Sequence, residues 1–175
     1  QRGGEFDFVK VLDFGLVCEV NINNKERRGI CGTPTHLSPE AILRPHSIDS
    51  RTDIYALGIM AYYMLTGSYP FAAATLEELL DKQVNEIPLR ASETVNFHIP
   101  ADLEAIVMQC LEKDCNKRPQ STQQIRQMLL SCEAAQIWNS SKAKNWWSDF
   151  ENPVNKDMKA GHSSSLTLTR AMTVK

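Results

Sequence analysis

From Ile54 to Leu65 every residue except Gly58 is apolar or aromatic. A helix that lies on a surface shows a polar face, so a stretch apolar on every side has to be surrounded by other elements. It is too short to span a bilayer, which takes about 20 apolar residues. Asp53 stands at its start as an N-cap and a favourable partner for the helix dipole. Gly67 and Pro70 end it. The expectation is a soluble, mostly α-helical domain wrapped around a central helix at about 52–66 that is buried on all faces.

Composition narrows the class. The 175 residues suit one domain or part of one, and a hydrophobic fraction of 42% is enough for a real core. A net charge of −2 provides no basic surface for nucleic acid or an anionic membrane. Cys18, Cys31, Cys110, Cys115 and Cys132 show neither zinc-ligand spacing nor a disulfide framework, which points to a reducing, cytoplasmic setting. No leader peptide or membrane segment is visible in these residues. The chain opens on Gln1 rather than Met and a strand pattern starts almost at once, so it reads as the C-terminal part of something longer.

In order along the chain, Phe8 to Leu12 reads as a short strand closed by Asp13-Phe14-Gly15. Leu16 to Leu37 has no period and reads as a long functional loop. Ser38 to Leu43 predicts a short helix with Ser38 as its cap, Pro39 in the first position and Glu40 in the first turn. Beyond the central helix, Thr75 and Glu78 form a capping box for a helix over TLEELLDKQV. Asn85 to Pro100 reads as loop. Asp102 to Glu112 puts apolar residues 103, 106, 107, 110 and 111 on one face of a helix. Ser121 and Gln124 cap the next, and Glu133 to Trp147 reads as one more, carrying Trp138, Trp146 and Trp147. From Asn152 onward the polar sequence reads as a disordered tail. The expected division is therefore 1–131, a helical extension over 132–151, and the tail 152–175.

Five motifs then fall in one order and spacing: Val11-Leu12-Asp13-Phe14-Gly15, Gly32-Thr33-Pro34, Ser38-Pro39-Glu40, Asp53 to Gly58, and Lys117-Arg118-Pro119. Together they resemble the C-terminal lobe of a protein kinase, over about Val9 to Leu130. GTPTHLSPE, SRTDIYALGIMAYYMLTGSYPF and DLEAIVMQCLEKDCNKRPQS look most like bacterial serine/threonine kinases. The resemblance implies the C-lobe of a two-lobed α+β kinase fold. It also implies ATP and Mg²⁺ as cofactors of the complete kinase and a protein Ser/Thr hydroxyl as acceptor.

What the resemblance implies can be placed residue by residue. Asp13 would hold magnesium, since a hard cation wants carboxylate oxygen. Leu12 would lie at the nucleotide pocket, with plain strand core as the equal alternative, and Phe14 would be a packed switch residue. The activation segment would run from Asp13, Phe14 and Gly15 through Gly32, Thr33, Pro34, Ser38 and Pro39 to Glu40, its end facing the peptide substrate. Thr33 would support the catalytic loop, and Asp53 would anchor it. Glu40 and Arg118 would form a buried ion pair. Met60 and Met64 match positions beneath the nucleotide site, though their helical spacing by itself says only core.

Departures count too. His36 stands where the family usually has an aromatic residue, and it reads as a hydrogen-bonding filler. The Gly-rich loop, the ATP-pairing Lys and the H-R-D-x-x-x-x-N segment with the catalytic base do not occur, and the expectation places them before Gln1. No Ser, Thr or Tyr lies between Leu16 and Cys31, so a mid-loop regulatory phosphate is not expected. The reading is a serine/threonine kinase whose C-lobe portion is inactive alone. The alternative is a pseudokinase or scaffold that keeps the fold without transfer.

Overall fold

The computed structural model describes residues 33–46 and 48–151. The expected strand Phe8–Leu12 and the tail from Asn152 lie outside them. Within the described residues all regular structure is helical and there is no strand. Eight α-helices follow a single turn of 3₁₀ helix at Pro34–His36: α1 Pro39–Leu43, α2 Arg51–Thr66, α3 Leu76–Asn85, α4 Ala91–Thr94, α5 Ala101–Cys110, α6 Thr122–Ser131, α7 Glu133–Ile137 and α8 Ser140–Glu151. They fall into two compact units, 33–136 and 137–151. A mostly helical, kinase-C-lobe-like fragment is the architecture expected from the sequence.

Most boundaries follow local chemistry. The Ser38 hydroxyl accepts the Ala41 N–H at the start of α1. Gly67, with φ 74°, takes the left-handed position that ends α2 and donates its N–H to the Tyr63 carbonyl. Thr75 and Ser121 accept the N–H groups of Glu78 and Gln124 at the starts of α3 and α6. In both boxes the return bond reaches one residue before the cap, from Ala74 N–H to Glu78 and from Gln120 N–H to Gln124. α2 begins two residues before Asp53, with Ser50 at the N-cap position, so Asp53 is not the cap. The Asp49 carboxylate does that work by accepting the Arg51 N–H at 2.9 Å.

Three further expectations need correction. The stretch read as loop before Pro100 contains α4, whose Ser92 N–H donates to the buried Glu104 carboxylate at 2.7 Å. The single helix expected over Glu133–Trp147 is two. It breaks at Trp138-Asn139, because the Asn139 side chain accepts the Lys142 N–H at 3.0 Å and starts α8 afresh. Asn139→Ala is expected to weaken α8 by about 1 kcal/mol, read as faster amide exchange at Lys142 and no change in α6. Finally, α2 is not buried on all faces. Ile54, Tyr55, Gly58, Ile59 and Tyr62 are buried, whereas Met60 is 46% and Met64 70% exposed. Those two methionines are therefore not core.

Within 33–136, α2 divides two apolar clusters. Tyr55, Ile59 and Tyr62 pack with Phe71, Ala91, Ile99, Val107 and Leu111. Ile54 packs on its other flank with Ile106, Cys110, Ile125 and Cys132. α5 serves both clusters, with 106 and 110 on one side and 107 and 111 on the other, as its amphipathic pattern requires. No helix among the described residues is long and apolar enough to cross a membrane.

Candidate functional site

The segment from Thr33 to Glu40 is laid against α2 and α3 by local turns. Pro34 fixes φ at the head of the 3₁₀ turn. The Thr33 carbonyl accepts the His36 N–H at 2.9 Å, and the Pro34 carbonyl accepts the Leu37 N–H at 3.3 Å. Thr33 itself is exposed, and its side chain makes no cap bond to the turn. Thr35 Oγ1 and His36 Nδ1 lie 2.9 Å apart. The His36 ring stands edge-on to Tyr69 with centroids 5.7 Å apart, and Tyr69 packs on Tyr63 at 4.9 Å. Burial holds the His36 imidazole below its ordinary pKa, so the neutral ring is favoured.

The segment ends on an ion pair. Arg118 donates to both Glu40 oxygens, at 2.7 and 2.8 Å, and the Arg118 side chain is wholly buried. Its remaining N–H groups donate to the carbonyls of Arg51, Glu112 and Lys113, so the whole fork of donors is used. The guanidinium carbon also sits 4.9 Å from the centre of the Tyr55 ring. Thr52 adds a hydroxyl to Glu40 at 3.2 Å. Burial pushes the Glu40 carboxyl up, but the Arg118 hydrogen bonds, a backbone N–H and the Arg118 charge outweigh it, and the group titrates below its ordinary value. One side chain thus ties the start of α1, the start of α2 and the turn after α5 together.

The other sequence-derived residues divide. Leu12, Asp13, Phe14, Gly15 and Gly32 lie outside the described residues. Asp53 is exposed in the first turn of α2, and its carboxylate has no hydrogen-bond partner among the described residues. Among the described residues no cluster of His, Cys, Asp and Glu is arranged to hold a metal ion. Two polar residues escaped notice. Gln83 is 1% exposed, and Lys113 places its ammonium 4.3 Å from the centre of the Phe71 ring. Burial holds the Lys113 pKa down to about 8. A signal for Gln83 was present in the pattern Leu76, Leu79, Leu80, Gln83, Val84, where the amide takes a slot of the apolar stripe. A polar side chain in such a slot has to be hydrogen-bonded.

Comparison with known proteins matches residues 3–130 to the protein kinase domain. The chain belongs to the protein kinase family. Bacterial serine/threonine kinases are among its relatives. The serine/threonine-protein kinase A of Synechocystis sp. is 35% identical over 129 residues, which are 73% of this chain and 25% of that protein. The serine/threonine-protein kinase pkn2 of Myxococcus xanthus is 32% identical over 133 residues, 72% of this chain and 16% of that protein. The serine/threonine-protein kinase PknB of Mycobacterium leprae is 32% identical over 130 residues, 73% of this chain and 21% of that protein. The kinase segment thus spans a quarter or less of each of these relatives.

Proposed function

We propose that this chain is the peptide-facing part of a serine/threonine protein kinase that transfers the ATP γ-phosphate to protein Ser/Thr hydroxyls. The observation that carries the reading is the bidentate Glu40–Arg118 pair, which fastens the segment from Thr33 to Glu40 onto the helical lobe. The ordered motifs and the family match support it. Asp13 is the residue proposed to hold magnesium, with Leu12 beside the nucleotide and Thr33 and Asp53 supporting the catalytic loop. Magnesium supplies the positive charge that neutralises the phosphates during transfer. Intact Asp13-Phe14-Gly15 favours transfer over a pseudokinase or scaffold role. The free thiols of Cys110, Cys115 and Cys132 support a cytoplasmic setting.

The 175 residues contain no H-R-D-x-x-x-x-N segment, so the chain alone is proposed to be inactive. Incubated with Mg-ATP and a generic protein substrate, the purified chain is expected to give background labelling, while the full-length protein labels Ser and Thr. Asp13→Ala in the full-length protein is expected to abolish that labelling. A full-length protein that folds and binds ATP but never transfers phosphate would replace this reading with the pseudokinase one.

A further inference from the structure

Gln83 is the only described side chain of α3 that is fully buried, and it is polar. The Tyr55 hydroxyl, equally buried on α2, donates to Gln83 Oε1 at 2.6 Å. On the other side Gln83 Nε2 donates to the Thr35 carbonyl at 2.7 Å, with the Pro34 carbonyl at 3.5 Å. The amide has one orientation that works. A carbonyl only accepts, so turning the amide over would set two oxygens against each other at Thr35. Burial keeps the Tyr55 phenol protonated and therefore a donor to Oε1. The main chain of Gln83 is also held: its carbonyl accepts the Lys113 ammonium at 2.7 Å, and the same ammonium reaches the Lys82 carbonyl at 3.3 Å. A rigid relay therefore runs from α2 through α3 into the Pro34–His36 turn.

We propose that Gln83 is a positioning residue that sets the conformation of the peptide-facing loop Thr33–Ser38 by holding the Thr35 carbonyl, and so governs how protein substrate is bound. In speaking of substrate, this rests on the kinase reading above. The Thr35 carbonyl shares a peptide plane with the His36 N–H, which closes the 3₁₀ turn on Thr33. Pulling that carbonyl toward α3 fixes the plane of the turn. Releasing it frees the plane and, with it, the loop surface around Thr35 and His36. Gln83 acts only through Thr35, and no part of the relay involves nucleotide.

The test compares wild-type full-length protein with Gln83→Leu, Gln83→His and Tyr55→Phe. Leucine keeps the volume and removes both hydrogen bonds. A neutral imidazole offers one acceptor and one donor nitrogen, the same pair the amide presents. Amide exchange at His36 and Leu37 is expected to rise about tenfold in Gln83→Leu, the size of one lost hydrogen bond. The KM for a Ser/Thr peptide rises by a similar factor while the KM for ATP stays put, and Gln83→His restores both. Tyr55→Phe, which loses one hydroxyl, shifts the same readouts less and in the same direction, and decides the matter should Gln83→Leu fail to fold. Unchanged exchange in the leucine variant, no rescue by histidine, or equal rises in both KM values would overturn the proposal. A wild-type protein without transfer activity would sink the kinase reading instead, and the exchange comparison would still decide whether Gln83 holds the loop.

Discussion

Arg118→Ala is expected to cost about 3–5 kcal/mol of folding stability, because it leaves the Glu40 carboxylate buried without its counter-charge. Glu40 is 8% exposed, and its attraction to Arg118 therefore acts with little solvent screening. The loss extends beyond the pair, since the carbonyls of Arg51, Glu112 and Lys113 lose their donors as well. Such a cost is a large share of the roughly 5–15 kcal/mol that holds a domain folded. Arg118→Lys should recover little, because a point charge cannot fork onto two carboxylate oxygens and three carbonyls together. Glu40→Gln is expected to cost less than Arg118→Ala, since the guanidinium keeps its three main-chain partners. Urea unfolding of the three variants checks the order. A loss below about 0.5 kcal/mol for Arg118→Ala, the range of ordinary surface substitutions, would refute it.

The same pair gives stability a pH dependence of known sign. The Glu40 carboxyl titrates below its ordinary value in the folded state. Its contribution is therefore fully present above the unfolded value of about 4.3 and lost as pH falls through the lower folded one. Urea midpoints measured downward from neutral pH are expected to drop through that window, and Glu40→Gln is expected to flatten part of the drop. A Glu40→Gln protein with the wild-type acid limb would show that other carboxylates carry it.

Legibility in the sequence followed the range of the interaction. Caps at Ser38, Thr75 and Ser121 depend on groups three residues away, and each lies where the sequence put it. Gly67 ends α2 for an equally local reason, a positive φ. The misreading of α2 as buried all round came from asking hydrophobicity to report coverage. Apolar composition says what a helix tolerates on its surface, and Met60 and Met64 are exposed all the same. Glu104 is buried on α5, where α4 lends its carboxylate the Ser92 N–H across eleven intervening residues. The site was legible through motif order, which brought Glu40 and Arg118 together on paper. The relay through Gln83 was not, because a single glutamine has no motif and declares itself only by its slot on the apolar stripe of α3.

Packing leaves no room for a side chain at Gly58, and Gly58→Ala is expected to destabilise the fold by about 1–3 kcal/mol through overpacking. Helix propensity alone argues the opposite, since alanine in place of glycine inside a helix is worth up to about 1 kcal/mol. Geometry decides between them. A Cβ on Gly58 would meet Cys110 Cβ at 2.8 Å, Leu111 Cδ2 at 3.1 Å and the Cys110 carbonyl carbon at 3.2 Å. Leu111 can swing its methyl aside, but the two Cys110 atoms move only with the backbone of α5. Forcing α5 away from α2 would loosen both apolar clusters, since Ile106 and Cys110 serve one and Val107 and Leu111 the other. Cys110 contributes bulk rather than chemistry, its thiol pushed up to about 11 by burial. Cys110→Ala keeps the offending Cβ and should give no relief in the Gly58→Ala background. Cys110→Gly removes it, so the double variant Gly58→Ala, Cys110→Gly is expected to lose less than the sum of its parts. A Gly58→Ala protein more stable than wild type would mean that α2 and α5 slide apart freely, and that propensity outweighs the crossing.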